Sequence, residues 1–132
     1  MRLPDWPSRF DALLQQRLTQ PFEWTGNDCV AFSADNVQAL RGRDDMAEFR
    51  TQRRCWAQAR AQLETGGGLY AGLQRAGLER IPVALAGVGD LVLVALGKRR
   101  VLAVCNGTEA MSPGRQGLVA VPMHTALDAW RV

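Results

Sequence analysis

Cys29 is the residue in this chain best placed to do chemistry. It follows Asn27-Asp28 and precedes Val30-Ala31-Phe32. Asparagine and aspartate before an apolar run mark a helix N-terminus, so the thiol is expected in the first turn of a helix. Unpaired backbone N–H groups and the positive end of the helix dipole favour a thiolate there, which is the nucleophilic form. A cysteine nucleophile needs a base, and His124 is the only histidine in the sequence. A Cys29–His124 dyad is therefore the cysteine-hydrolase arrangement that the residue types allow. The plainer reading of Cys29 is a small apolar side chain packed on a sheet, and of His124 a cap or solvated residue at a strand–helix junction.

Other chemistries find little support. The three cysteines, Cys29, Cys55 and Cys105, are 26 and 50 residues apart, with no Cys-x-x-Cys pair and one histidine. No zinc set can be drawn from them, and no metal is expected. An odd count predicts reduced thiols in a cytosolic setting, with Cys55 and Cys105 as buried structural residues. Gly66-Gly67-Gly68 lacks the preceding strand and the following Gly-Lys-Ser/Thr of a phosphate loop, so it reads as a helix stop and no cofactor is implied.

The elements that must position Cys29 divide into a helical first two-thirds and a strand-rich last third, an α+β pattern. Asp5 or Ser8 can cap a first helix whose stripe is Phe10, Leu13, Leu14 and Leu18, with Pro21 as its stop. The second helix runs from Cys29 to about Leu40, and Gly42 is its natural end. Arg43 to Arg54 is densely charged and reads as a solvated loop, with Thr51 capping a third helix whose apolar face is Trp56, Ala59 and Leu63. A short helix then carries Leu69, Leu73 and Leu78.

After Ile81 the texture changes. Gly87-Val88-Gly89-Asp90 is a turn before the strand Leu91 to Leu96, and Gly97-Lys98-Arg99 folds back into Arg100 to Cys105. Asn106-Gly107 turns again into a strand near Glu109-Ala110-Met111, and Gly117 to Pro122 reads as the last strand. His124 or Thr125 is expected to open a closing turn of helix through Ala126, Leu127 and Trp130. Trp6, Trp24, Trp56 and Trp130 fall on apolar faces and serve as core or interface anchors.

At 132 residues and 47% apolar, the chain is sized for one domain spanning residues 1–132, able to bury a core without a staple. No apolar run is long enough to span a membrane, so no membrane insertion is expected. Met1 to Pro7 has no signal-peptide core, which argues against a cleaved secretion signal. Sixteen Lys+Arg against 13 Asp+Glu leave a net charge of +3. All but Lys98 of the basic residues are arginine, scattered and not interleaved with aromatics on one strand face. Nucleic acid is therefore not the expected partner.

Taken together, Trp24-x-x-x-Asp28-Cys29, a helix, Gly89-Asp90-Leu91-Val92-Leu93, a hairpin and a strand ending at Gly107 resemble the NlpC-type branch of papain-like peptidoglycan peptidases. The resemblance covers roughly residues 20–122. With the closing Asp128-Ala129-Trp130-Arg131-Val132 it is most similar to small NlpC-like proteins of bacteriophage and prophage tail modules. It implies a papain-like domain with N-terminal helices packed on a C-terminal antiparallel sheet. In that family the nucleophile lies in Asp-Cys-Ser-Gly, and a later strand reading His-Val-Gly-Ile-Tyr-x-Gly supplies the base.

The departures separate two functional readings. Counting back from Gly107, the family's histidine position falls on Val101, or on Arg100 after a one-residue slip, and Ser-Gly is replaced by Val30-Ala31. Without an imidazole a thiolate loses its base and its later proton donor. On the first reading the protein is a tail-tip or baseplate structural component with a vestigial Cys29. Its partners would be other tail proteins, and it would be assembled in the bacterial cytoplasm and located in the virion tail. On the second it is an active cysteine peptidase or amidase of peptidoglycan peptides, using Cys29 as nucleophile and His124 as base. The missing strand histidine favours the first.

Overall fold

A computed structural model describes residues 1–64 and 67–132, apart from the Leu63 side chain. Gly66 and the Leu63 side chain, both invoked above, lie outside the described residues. Among the described residues, four α-helices precede a six-stranded antiparallel sheet, so the chain is α+β. The helices are α1 (Trp6–Arg17), α2 (Cys29–Arg41), α3 (Trp56–Glu64) and α4 (Gly68–Arg75). The strands are β1 (Glu79–Ile81), β2 (Leu91–Leu96), β3 (Arg99–Cys105), β4 (Glu109–Gly114), β5 (Gly117–Pro122) and β6 (Ala126–Arg131). Their order across the sheet is β1-β6-β2-β3-β4-β5.

The second helix forms the middle of the molecule. Asp28 caps it by accepting a hydrogen bond from the Ala31 amide at 2.8 Å. Gly42 ends it at φ +75°, donating to the Gln38 carbonyl, a backbone state that costs a side-chain-bearing residue energy. Its residues are buried almost all round: Phe32, Ala34, Val37 and Leu40 have no exposed surface. A helix that buries this much of its surface must be covered on more than one side, and it packs against α1, β3 and β4. The sheet supplies the other half of the core through Leu91, Val92, Val94, Ala103 and Val104.

Several expectations need correction. The first helix ends at Arg17, before Pro21, and Leu18 is left half exposed. Asp5 stands at its N-cap position but makes no capping bond, because its carboxylate accepts from Arg9 at 2.9 Å instead. Thr51 does not cap the third helix, which begins at Trp56. Before it, the Arg53 N–H donates to the Thr25 hydroxyl at 2.8 Å. Gly117 to Pro122 is not the last strand, and no closing helix follows. Met123–Thr125 make one turn of 3₁₀ helix containing His124, after which β6 pairs with β2 on one side and β1 on the other. The spacing of Ala126, Leu127 and Trp130 fits either period. Two waiting strand partners and a slot that buries Trp130 to 1% exposure decide for the strand.

Three residues, Met123–Thr125, thus join β5 at one edge to β6 beside the other. On a flat sheet the four intervening strand spacings would separate them by about 19 Å. The stretch from Pro122 to Ala126 reaches at most about 14 Å. The sheet therefore curls, bringing its two flanks toward each other.

Candidate functional site

Cys29 is the first residue of α2, on the side that meets β3. It is 8% exposed and borders a groove of about 590 Å³. Phe22, Trp24 and Trp56 form one wall; Leu96, Arg99 and Val101 come from the β2–β3 hairpin, and Ser112 to Arg115 with Val119 from the β4–β5 hairpin. The two turns lie at the same end of the sheet, since β3 leaves the Gly97-Lys98 turn and β4 returns toward it.

The aromatic wall is a compact cup. Trp24 stands edge-on to Phe22 (centroids 4.8 Å apart, 87° between planes) and to Trp56 (5.2 Å, 83°). Such edge-to-face pairs hold aromatics in a defined geometry. The Arg99 guanidinium caps the outer face of the cup, 4.3 Å from the Trp56 ring centroid.

A buried ion pair carries this wall. Asp28 and Arg53 side chains are each 1% exposed and meet in a bidentate fork, Nε to Oδ2 at 2.6 Å and Nη2 to Oδ1 at 2.9 Å. The carboxylate also accepts from the amides of Ala31 and Thr25, at 2.8 and 2.9 Å. The remaining guanidinium nitrogen donates to the Phe49 and Thr51 carbonyls and to Gln62 on α3. Thr25, at φ +70°, donates its hydroxyl to the Arg53 carbonyl at 2.9 Å. One carboxylate therefore caps α2, fixes the loop carrying Trp24 and anchors the segment leading to Trp56. Sequence reasoning placed Arg53 in solvent. A charged run does not reveal which of its members finds a buried partner.

The thiol is not activated by this surrounding. Burial, followed by the neighbouring Asp28 charge, raises its pKa from 9.0 to about 11. Hydrogen-bonding backbone at Leu102 and Val30 and the Arg53 charge favour the thiolate and are outweighed. At pH 7 roughly one thiol in 10⁴ is then ionised. Desolvation thus defeats the helix-terminus effect expected from the sequence, because it acts on the sulfur directly whereas the dipole's partial charge is shared among the first amides.

Of the candidate dyad, Cys29 alone borders the groove. His124 lies in the turn between β5 and β6 and is not one of the residues lining the groove that Cys29 borders. Val101, by contrast, faces the same groove as Cys29. All three cysteines are free; Cys29 and Cys105 are buried, but Cys55 is exposed, not buried as expected. Among the described residues no cluster of His, Cys, Asp or Glu could hold a metal, and no helix is long and apolar enough to cross a membrane.

What the sequence reading missed at the site is Ser112, Arg99, Arg115 and the joint role of Trp24 and Trp56. The signal was partial: Phe22 and Trp24 sit beside Cys29 in the chain, but Trp56 reaches them only through the Arg53 anchor. Trp130 is a core residue, whereas Trp6 is partly buried with the Arg2 guanidinium 4.2 Å from its ring centroid.

Fold and site together define an α+β protein in which a helix headed by a buried, protonated cysteine lies across an antiparallel sheet. Over residues 1–132 the chain matches the family described as a domain of unknown function (DUF6950), and it belongs to that family. No curated protein matches it.

Proposed function

We propose that the protein is a structural component of a bacteriophage or prophage tail tip or baseplate, built on an NlpC-like, papain-like fold that has lost its catalytic histidine. Its partners are neighbouring tail proteins; it assembles in the bacterial cytoplasm and resides in the virion tail. One observation carries the loss of chemistry: Val101 lines the groove beside Cys29 at the position where the resemblance calls for an imidazole. A thiol with its pKa near 11 and no base beside it offers no nucleophile at neutral pH. The tail assignment itself rests on the order and spacing of the motifs from Trp24 to Gly107 and on the closing Asp128 to Val132.

Deleting the reading frame from an inducible prophage tests both parts. Tails purified from the parent strain should contain the chain, and the deletion should yield defective tails that the Cys29→Ala protein restores. Absence of the chain from intact, infectious tails would remove the tail assignment. Cleavage of peptidoglycan stem peptides by the wild type, abolished by both Cys29→Ala and His124→Ala with the fold retained, would replace the structural reading with the peptidase.

A further inference from the structure

The lining of the groove beside Cys29 carries two arginines and no carboxylate. Arginines elsewhere are of both kinds: Arg17, Arg50, Arg75 and Arg80 pair with Asp35, Asp44, Glu48 and Asp128, whereas Arg54, Arg60, Arg100 and Arg131 form no ion pair among the described residues. Arg99 and Arg115 line the groove, and neither has a carboxylate within 4.0 Å among the described residues. They stand on adjacent hairpins at the same sheet end, with the half-buried aromatic cup of Phe22, Trp24 and Trp56 beside them. Ser112, 4% exposed, also lines the groove.

From this we infer that the groove binds an extended acidic–apolar peptide segment of a partner protein, its apolar side chains on the aromatic cup and its carboxylates on Arg99 and Arg115. The inference rests on the non-catalytic reading of the site and names what occupies it. A volume of about 590 Å³ falls within the roughly 300–1,000 Å³ of ordinary ligand sites. The Arg99 guanidinium already sits over the Trp56 ring, a contact that holds it in place while its N–H groups remain able to take a carboxylate. Cations on two neighbouring turns call for two anionic groups separated by a stretch of chain. Single-stranded nucleic acid fits less well: Phe22 and Trp56 are near parallel (28°, centroids 6.4 Å apart), but Trp24 stands edge-on to both, whereas base stacking along a strand uses successive parallel faces.

The probe is a fluorescein-labelled peptide of sequence Leu-Glu-Phe-Glu-Leu-Glu, compared with its counterpart in which every Glu is Gln, and read by anisotropy against the full chain. The acidic peptide should bind, and should weaken by about tenfold or more on replacing Glu by Gln and on Arg99→Gln/Arg115→Gln. Arg99→Lys/Arg115→Lys should recover part of the loss, and Arg9→Gln on the exposed face of α1 should have no effect. If the double glutamine variant does not fold, the two peptides on the wild-type protein decide alone. Equal binding of the two peptides, no binding of the acidic one at about 1 mM, or tighter binding of an oligothymidine of equal charge would overturn the inference. Chromatography of the recovered peptide keeps the two readings apart. An intact, unbound peptide sinks only this inference, whereas a cleaved one sinks the non-catalytic reading on which it rests.

Discussion

Cys29 shows two opposed effects on one sulfur. Its place at the start of α2 lowers the cost of negative charge, and its burial raises it; burial prevails, with the pKa at about 11. Reactivity in the folded protein should follow. Iodoacetamide at neutral pH should label the exposed Cys55 quickly and leave Cys29 and Cys105 protected, with three free thiols on denaturation. The same shift makes stability depend on alkaline pH. Between about pH 9 and 11 the unfolded chain releases the Cys29 proton while the folded chain keeps it. Folding is then opposed, and stability falls as pH rises through that window. The loss attributable to Cys29 should be about 2–3 kcal/mol. Urea melts at pH 7 and pH 10.5 should show it in the wild type and not in Cys29→Ala. Equal pH sensitivity in the two proteins would mean that the thiol is not desolvated.

Among the elements, the segment between α2 and α3 depends on the Asp28–Arg53 pair more than on its own propensity. A buried ion pair contributes little net stability when intact, since both charges must be desolvated. Removing one partner strands the other and typically costs about 3–5 kcal/mol. Arg53→Met should therefore destabilise strongly. It should also free Trp56 from Trp24, seen as a changed near-ultraviolet circular dichroism signal. Pairing it with Asp28→Asn should recover part of the loss, because the uncompensated carboxylate is gone while the amide can still cap α2. A double variant no better than Arg53→Met would show that the anchor acts through the Phe49 and Thr51 carbonyls instead. At the sheet edge, Gly117 sits at φ +128°, with the Leu18 carbonyl oxygen only 2.1 Å from where a Cβ would lie. Its role in docking the end of α1 onto β5 needs glycine on both counts.

Across the whole molecule, Asp90 joins Arg2 to Val132. Its carboxylate accepts from Arg2 at 2.9 Å, from the Val132 amide at 3.0 Å and from the Gly87 amide at 2.9 Å. Arg2 in turn donates to the Val132 carbonyl at 2.8 Å. Asp90→Ala should cost about 2–4 kcal/mol. It should raise amide exchange at β6 and at residues 1–5 together while leaving α2 protected. Exchange confined to the Gly87–Asp90 turn would show that the ends are held independently.

The resemblance to a Gly-Asp-Leu-Val strand pointed at this region without revealing what the aspartate does. Local signals determined much of the rest. The Asn27-Asp28 cap and Gly42 delimited α2 to within a residue, and the dense apolar run after Asp90 with its Gly97 turn delimited β2 and β3. Caps, turns and unbroken periods act between neighbours in the chain, so they can be read in order. Tertiary structure alone decided that Ala126–Arg131 is a strand, because its short apolar spacing fits two periods and the choice belongs to β1 and β2. It alone put Arg53 beneath Asp28, Trp56 against Trp24, and Val101 in the groove beside Cys29. Each of these depends on which distant residues the curled sheet brings together, and the desolvation that keeps the Cys29 thiol protonated depends on the same burial.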